Sequence, residues 1–221
     1  QVCPMAELAG CHVGCLNTAG RGGMSPGNAT FSTPAGDLPD NAIQHARIRR
    51  TRFWGADREA FVAQLELEIT RLIKKANRKG LVPVVRLNGT SDIQWERLRF
   101  DTLDGMTIFE YFHMIQFYDY TKIPKRFNRE LPPNYHLSLS YSEASEKYAD
   151  MCMDAVDRFE APLVIVARNE SVKRKILDSY EDRPKVDGDE TDLRFLDPAG
   201  AVVVLRAKGS ARWDTSGFVI D

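Results

Sequence analysis

The sequence contains no apolar run near the roughly 18 residues a membrane-spanning helix requires, so no transmembrane segment is predicted. Net charge is all but absent: 30 Lys and Arg oppose 31 Asp and Glu, a formal charge of −1. That balance excludes a uniformly basic coat for nucleic acid, though not a local basic patch. No basic stretch followed by an apolar core marks the first residues as a secretory leader. Cysteine is scarce, four in 221 residues. A chain of this length builds a core without disulfide staples, so the thiols are expected to be reduced and the protein cytoplasmic. The sequons at Asn28, Asn88 and Asn169 are then expected to carry no glycan. Neither G-x-G-x-x-G nor G-x-x-x-x-G-K-[ST] occurs, which removes the fingerprints of dinucleotide-binding and P-loop folds. There is no solenoid repeat. What remains is of ordinary globular composition, 43% hydrophobic and 28% charged, and one domain over 1–221 is expected.

The scarce cysteines are unevenly placed. Cys3, Cys11 and Cys15 lie within the first fifteen residues, spaced C-x7-C-x3-C, in a segment (1–40) rich in Gly, Pro, Ser and Thr that reads as a loop. Thiolates bind soft metals, either zinc or the irons of an iron–sulfur cluster. Zinc favours four ligands in C-x2-4-C pairs. Three thiols without an evident fourth favour a [4Fe-4S] cluster with one iron left for a small molecule or a non-cysteine ligand; zinc, or no metal at all, are the alternatives. Three thiols in one Gly-rich loop would otherwise invite oxidation. The fourth cysteine, Cys152, shares a helical face with Tyr148, Ala155, Val156 and Phe159. It is expected to be a core thiol, with a fourth ligand as the minority reading.

Hydrophobic periodicity organises the rest. Asp40 is expected to cap a helix through about 53, and Asp57 a long helix over roughly 58–79, with Phe61, Leu65, Ile69, Leu72 and Ile73 on one face and Gly80 at its stop. Strands are predicted at 81–87, 114–118, 135–140, 163–167, 185–186 and 201–206, with helices at about 143–159 and 169–179. Short apolar strands alternating with helices or long crossovers predict an α/β fold. The expected form is a TIM-barrel-like partial parallel (β/α) barrel of about six strands, preceded by the Cys-rich loop and the helices of 41–80.

Four stretches carry a resemblance. Residues 15–22 (Cys-Leu-Asn-Thr-Ala-Gly-Arg-Gly), 46–52 (Ala-Arg-Ile-Arg-Arg-Thr-Arg), 86–96 (Arg-Leu-Asn-Gly-Thr-Ser-Asp-Ile-Gln-Trp-Glu) and the tail 208–219 resemble the phage and plasmid gene product 88 family, over essentially the whole chain. The resemblance implies a phage- or plasmid-type protein, acting in the host cytoplasm if phage-encoded, and some members bear a label linking them to replication. A cysteine loop followed by a βα series is also similar to radical-SAM proteins, which implies a possible S-adenosylmethionine cofactor and a partial barrel. Their usual spacing is C-x3-C-x2-C and a Gly-Gly-Glu motif follows their second strand; this chain has neither. A strand preceding the cysteine loop would have to lie ahead of Gln1.

Ligands of parallel α/β folds bind at the C-terminal ends of the strands. Polar residues near those ends are therefore candidates for a small-molecule site: Asn88 and Asp92, with Ser91; Asp119 and Lys122, with Thr121; Ser138 and Ser140; and Lys208. Helix caps and turn residues are the alternative reading, preferred for Ser142 and Glu143. His113 and His136 are minority catalytic candidates, while His12 and His45 lie near the thiol loop in sequence. Asp187, Asp189, Glu190 and Asp192 are expected to form a solvated acidic loop. Arg47, Arg49, Arg50 and Arg52 make a basic helix that could hold phosphate, and so nucleic acid. Two functions follow: an iron–sulfur enzyme, which the second resemblance would make radical-SAM-like, or a non-catalytic nucleic-acid-associated protein with a structural cluster.

Overall fold

The computed structural model describes residues 2–12, 14–33 and 36–221. The segment expected to be entirely loop holds an antiparallel pair, β1 (Thr30–Thr33) and β2 (Gly36–Pro39), after three short 3-10 turns. Helix α1 (Ala42–Ala56) begins one residue later than predicted. Its cap is Asn41, whose Oδ1 accepts from the amides of Ile43 and Gln44, both at 3.0 Å. Asp40 instead meets His45 Nε2 at 2.7 Å. Helix α2 (Arg58–Arg78) starts where predicted: Asp57 accepts from the Ala60 amide at 2.9 Å. Val62 and Ile69 are buried, and Phe61, Leu65 and Ile73 pack on the same core.

The main sheet contains β3 (Val84–Val85), β4 (Gln116–Thr121), β5 (Tyr135–Ser140), β6 (Leu163–Ala167), β7 (Lys185–Asp187), β8 (Val202–Arg206) and β9 (Val219–Ile220). All of its ladders are parallel. Parallel pairing requires long connections, and these are supplied by the short α3 (Ile108–Tyr111), α4 (Glu146–Phe159), α5 (Glu170–Ser179) and irregular segments. The spatial order is β3-β4-β5-β6-β8-β7. Up to β6 it follows the chain, as a barrel would. Then β8 inserts between β6 and β7, which breaks barrel order. No ladder joins the edge strands β3 and β7, so the sheet is open. Strand β9 pairs with β6 at Val166 and Ala167, on the edge that β5 vacates after Val164.

Several predicted strands shift. Only Val84 and Val85 of 81–87 pair; Pro83 has no amide hydrogen to give a ladder, and Leu81 and Val82 are exposed. The predicted 114–118 strand runs two residues later, so Asp119 and Thr121 lie within β4 rather than beyond it. Ser138 and Ser140 likewise belong to β5 itself.

Because side chains alternate across a strand, the sheet has two distinct faces. Phe117, Tyr135, Leu137, Leu139, Leu163, Ile165, Val202 and Val204 face the helices and build two adjoining apolar clusters. Cys152 is buried in the second, as expected of a core thiol, beside Tyr148, Ala155 and Val156. The opposite face carries Tyr118, Tyr120, His136, Ser138, Val164 and Val203. The 188–198 crossover lies against it: Phe195 packs on Tyr118 with ring centres 5.6 Å apart, and Asp192 accepts from Tyr120 Oη at 3.0 Å. The acidic loop is thus solvated only in part, with Glu190 and Asp192 exposed and Asp187 and Asp189 ion-paired. Asp187 pairs with Lys173, Asp189 with Lys173 and Lys208, and Asp192 with Arg86.

One buried guanidinium joins the first strands. Arg126 donates to both oxygens of Glu96 (2.9 and 2.7 Å), to Asp92 Oδ1 (2.9 Å) and to Tyr135 Oη (2.9 Å). Removing one partner from such a buried set strands the others without compensation. Arg126→Met should therefore cost about 3–5 kcal/mol, measured as a lowered urea midpoint. A change below about 1 kcal/mol would place Arg126 among ordinary surface ion pairs.

Candidate functional site at the mouth of the sheet

The turn after β3 begins at Asn88, whose side chain is buried. Its Oδ1 accepts from Ser91 Oγ (2.8 Å) and the Ile93 amide (3.0 Å), so the turn folds around one amide group. Asn88 also binds Asp119 twice, backbone amide to Oδ1 at 2.8 Å and Nδ2 to Oδ2 at 3.2 Å. Tyr135 Oη donates to the same carboxyl at 3.1 Å. Burial outweighs these donors and raises the Asp119 pKa to about 7. Four residues on, Asp92 accepts from Thr121 Oγ1 (2.8 Å) and from the Lys122 amide (2.7 Å). Asn88, Asp92, Asp119 and the Lys122 amide are therefore brought together, with Asp119 inside β4 and not beyond its end.

The N-terminal loop is laid across this mouth. The Asp92 amide donates to the Val2 carbonyl at 2.6 Å, and the Cys3 thiol lies 3.6 Å from the Thr90 carbonyl. Ser142 Oγ, just past β5, donates to the Ala9 carbonyl at 2.7 Å. Ser216 Oγ, just before β9, donates to the Gly10 carbonyl at 2.8 Å. Gly10 has φ +62°, and a Cβ there would stand 2.5 Å from that of Ala144. Ser142 is thus an anchor for the loop and not merely a helix start; α4 is capped at Ser145.

Cys3, Cys11 and Cys15 lie near enough for a charge on one to act on another. Burial, then the neighbouring Cys15 and Asp92, push the Cys3 thiol up to about 12. Burial also raises Cys11, opposed by the nearby Lys122 ammonium. Lys122 Nζ donates to the Tyr141 carbonyl at 3.1 Å and lies 4.2 Å from the Phe218 ring centre. The surrounding protein desolvates it and lowers its pKa to about 8, while Cys11, Cys152, Asp92 and Asp214 act in the opposite direction. The result is a thiol-lined mouth with one enclosed amine. Among the described residues, no three His, Cys, Asp or Glu side chains close in as a set that could hold a metal ion.

Other predicted residues lie elsewhere. Ser138 is buried on the far face of the sheet beside His136 Nε2 (3.3 Å), and Ser140 shares that face; neither joins Asn88 or Asp92. Lys208 sits at the end of β8, paired with Asp189 at 2.9 Å. Arg47 is not free for phosphate: it donates to the Asn17 carbonyl and so ties α1 to the thiol loop. Arg49, Arg50 and Arg52 are exposed. His12 and His113 are exposed, and His45 stacks on Phe31 with ring centres 4.7 Å apart. Sequence reasoning missed Arg126, Glu96, Tyr135 and Ser216; the Asp-x-Ser-Gly run at 214–217 was a turn signal that pointed towards the last.

The whole chain, residues 1–221, matches the Gene product 88 family. It belongs to that family. No curated protein and no solved structure matches it. In this Gene product 88 protein, no helix among the described residues is long and apolar enough to cross a membrane.

Asp119 makes a pH prediction. Its folded pKa is raised, so between about pH 4 and about pH 7 the folded protein holds a proton that the unfolded chain has released. That stabilisation is present in acid and is lost as pH rises through the window. Asp119→Asn should flatten this dependence, seen by comparing urea midpoints at about pH 4.5 and about pH 7.5. Parallel pH curves for the two proteins would contradict the raised pKa.

Proposed function

We propose that this Gene product 88 protein is an iron–sulfur protein, with Cys3, Cys11 and Cys15 as ligands of a [4Fe-4S] cluster and the mouth of the sheet as the place where a small molecule reacts. The observation that carries this reading is a loop with three thiols tied through Val2, Cys3, Ala9 and Gly10 to the segments around the C-terminal ends of parallel strands. A single zinc ion needs its sulfurs all about 2.3 Å from one point, and the described thiols do not form such a set. A cluster gives each thiolate its own iron and tolerates a wider spread. When bound, it would supply one-electron chemistry.

The chain's own residues then have defined parts. Ser142 and Ser216 fix the loop backbone, Lys122 offsets thiolate charge at Cys11, and Asn88 and Asp92 shape the turn beneath. Thiols as basic as Cys3 must lose their protons on metal uptake, so loading should release acid and improve with rising pH. The radical-SAM resemblance makes S-adenosylmethionine the first small molecule to try, read as a changed EPR signal of the reduced protein.

The decisive measurement is anaerobic reconstitution. Brown protein with broad absorbance near about 400 nm and bound iron and sulfide is expected. Cys3→Ser, Cys11→Ser and Cys15→Ser should each lose most of the iron, while Cys152→Ser keeps it. Colourless protein holding one equivalent of zinc overturns the reading. A nucleic-acid role is the second reading, supported by the exposed Arg49, Arg50 and Arg52 on α1. It requires DNA affinity that falls with salt and with Arg49→Ala/Arg50→Ala.

A further inference from the structure

A second opening lies where β6 and β8 end side by side. It is a cleft of about 240 Å³ whose charged lining is Arg168, Arg206, Lys208 and Arg212 against one carboxylate, Glu170. Three of these cations are held in place by ion pairs. Asp189 takes Lys208 at 2.9 Å and Arg206 at 3.3 Å. Arg206 also stands 3.7 Å from Glu170. Arg168 pairs with Asp221 at 2.7 Å and donates to the Arg212 carbonyl at 2.8 Å and to the Asp214 carbonyl. The Arg212 side chain is exposed and makes no hydrogen bond or ion pair among the described residues.

The residue after Arg212 is Trp213, 84% exposed, while Trp54 and Trp95 are buried. The chain thus sets an indole in water directly after a cleft-lining arginine, and cations with an aromatic face are the composition of a site for a phosphate joined to a flat aromatic group. The turn that presents it is pinned against the N-terminal segment. Gly209 has φ +59°, and a Cβ there would meet the Ala19 backbone at 3.1 Å. Thr18 Oγ1 and Ser210 Oγ lie 2.8 Å apart. A turn pinned in this way loses little freedom when a ligand arrives.

We propose that this cleft binds the phosphate of a nucleotide unit, through Arg206, Lys208 and Arg212, with the base stacked on Trp213. The unit comes either from a free mononucleotide or from a single strand. The site does not depend on the metal reading, and its failure would leave that reading intact, since iron content is measured separately.

The test is a titration of the purified protein with AMP, with inorganic phosphate and with a single-stranded oligothymidylate, followed by tryptophan fluorescence and by calorimetry. AMP should quench saturably, because Trp213 is the exposed indole, and bind roughly tenfold tighter than inorganic phosphate. Lys208→Ala/Arg212→Ala, both exposed side chains, should weaken AMP and phosphate alike by at least about tenfold. Trp213→Ala should abolish the advantage of AMP over phosphate while phosphate still binds. An oligonucleotide that binds more tightly than AMP, with affinity falling steeply with salt, assigns the single strand as the source; the reverse order assigns the free nucleotide. Absence of binding by both AMP and the oligonucleotide at millimolar concentration overturns the proposal. So does an AMP affinity equal to that of phosphate, or one unchanged in Lys208→Ala/Arg212→Ala.

Discussion

The mouth of the sheet depends on the guanidinium of Arg126. It reaches Asp92 and Glu96 from the turn after β3 and Tyr135 from β5, while sitting on the one-turn helix that follows β4. Three separate stretches of chain are thereby fixed at one point. Asp92, held on one side by Arg126, uses its backbone amide to hold Val2. Loop position is thus set by a charge buried some way below it. A buried ion set of this kind contributes little net stability compared with apolar packing, yet it tolerates no missing member. Its value lies in fixing one arrangement of the strand-end turns.

A division of labour follows. The helix-facing side of the sheet is nearly all apolar and supplies the packing. Polar groups concentrate where strands end, and there they are satisfied by one another rather than by water: Asn88 by Asp119, Asp92 by Thr121, Ser142 by Ala9. The thiol loop adds few apolar contacts of its own, Ala9 being buried and Met5, Leu8 and Cys11 partly so. It is held chiefly by backbone carbonyls accepting from serines and from an amide. Rigid strand ends beneath a loop tied at several points is a suitable support for a site that must keep its geometry.

Local pattern made some of this legible. The strand 163–167 is a continuous apolar run and was placed to the residue; α2 was readable from its cap and its spacing. β4 was misplaced because Asp119 and Thr121 look like post-strand polar residues. They are in fact buried strand residues whose partners, Asn88 and Asp92, come from some thirty positions away. The insertion of β8 between β6 and β7 has no local signature, since the order of parallel strands is decided by crossovers and not by any one segment. β9 has two residues and no periodicity to detect. Arg126 looked like one more basic residue in a turn; only the convergence of Glu96, Asp92 and Tyr135 sets it apart.

The hydrogen bond from Ser216 to Gly10 spans 206 positions of the chain. During synthesis the thiol loop emerges about 200 positions ahead of one of its anchors. Domains acquire structure as they leave the ribosome, but this loop must wait, its three thiols unsheltered, until the 214–217 turn has been made. Maturation of the mouth therefore couples two segments that are made far apart in time.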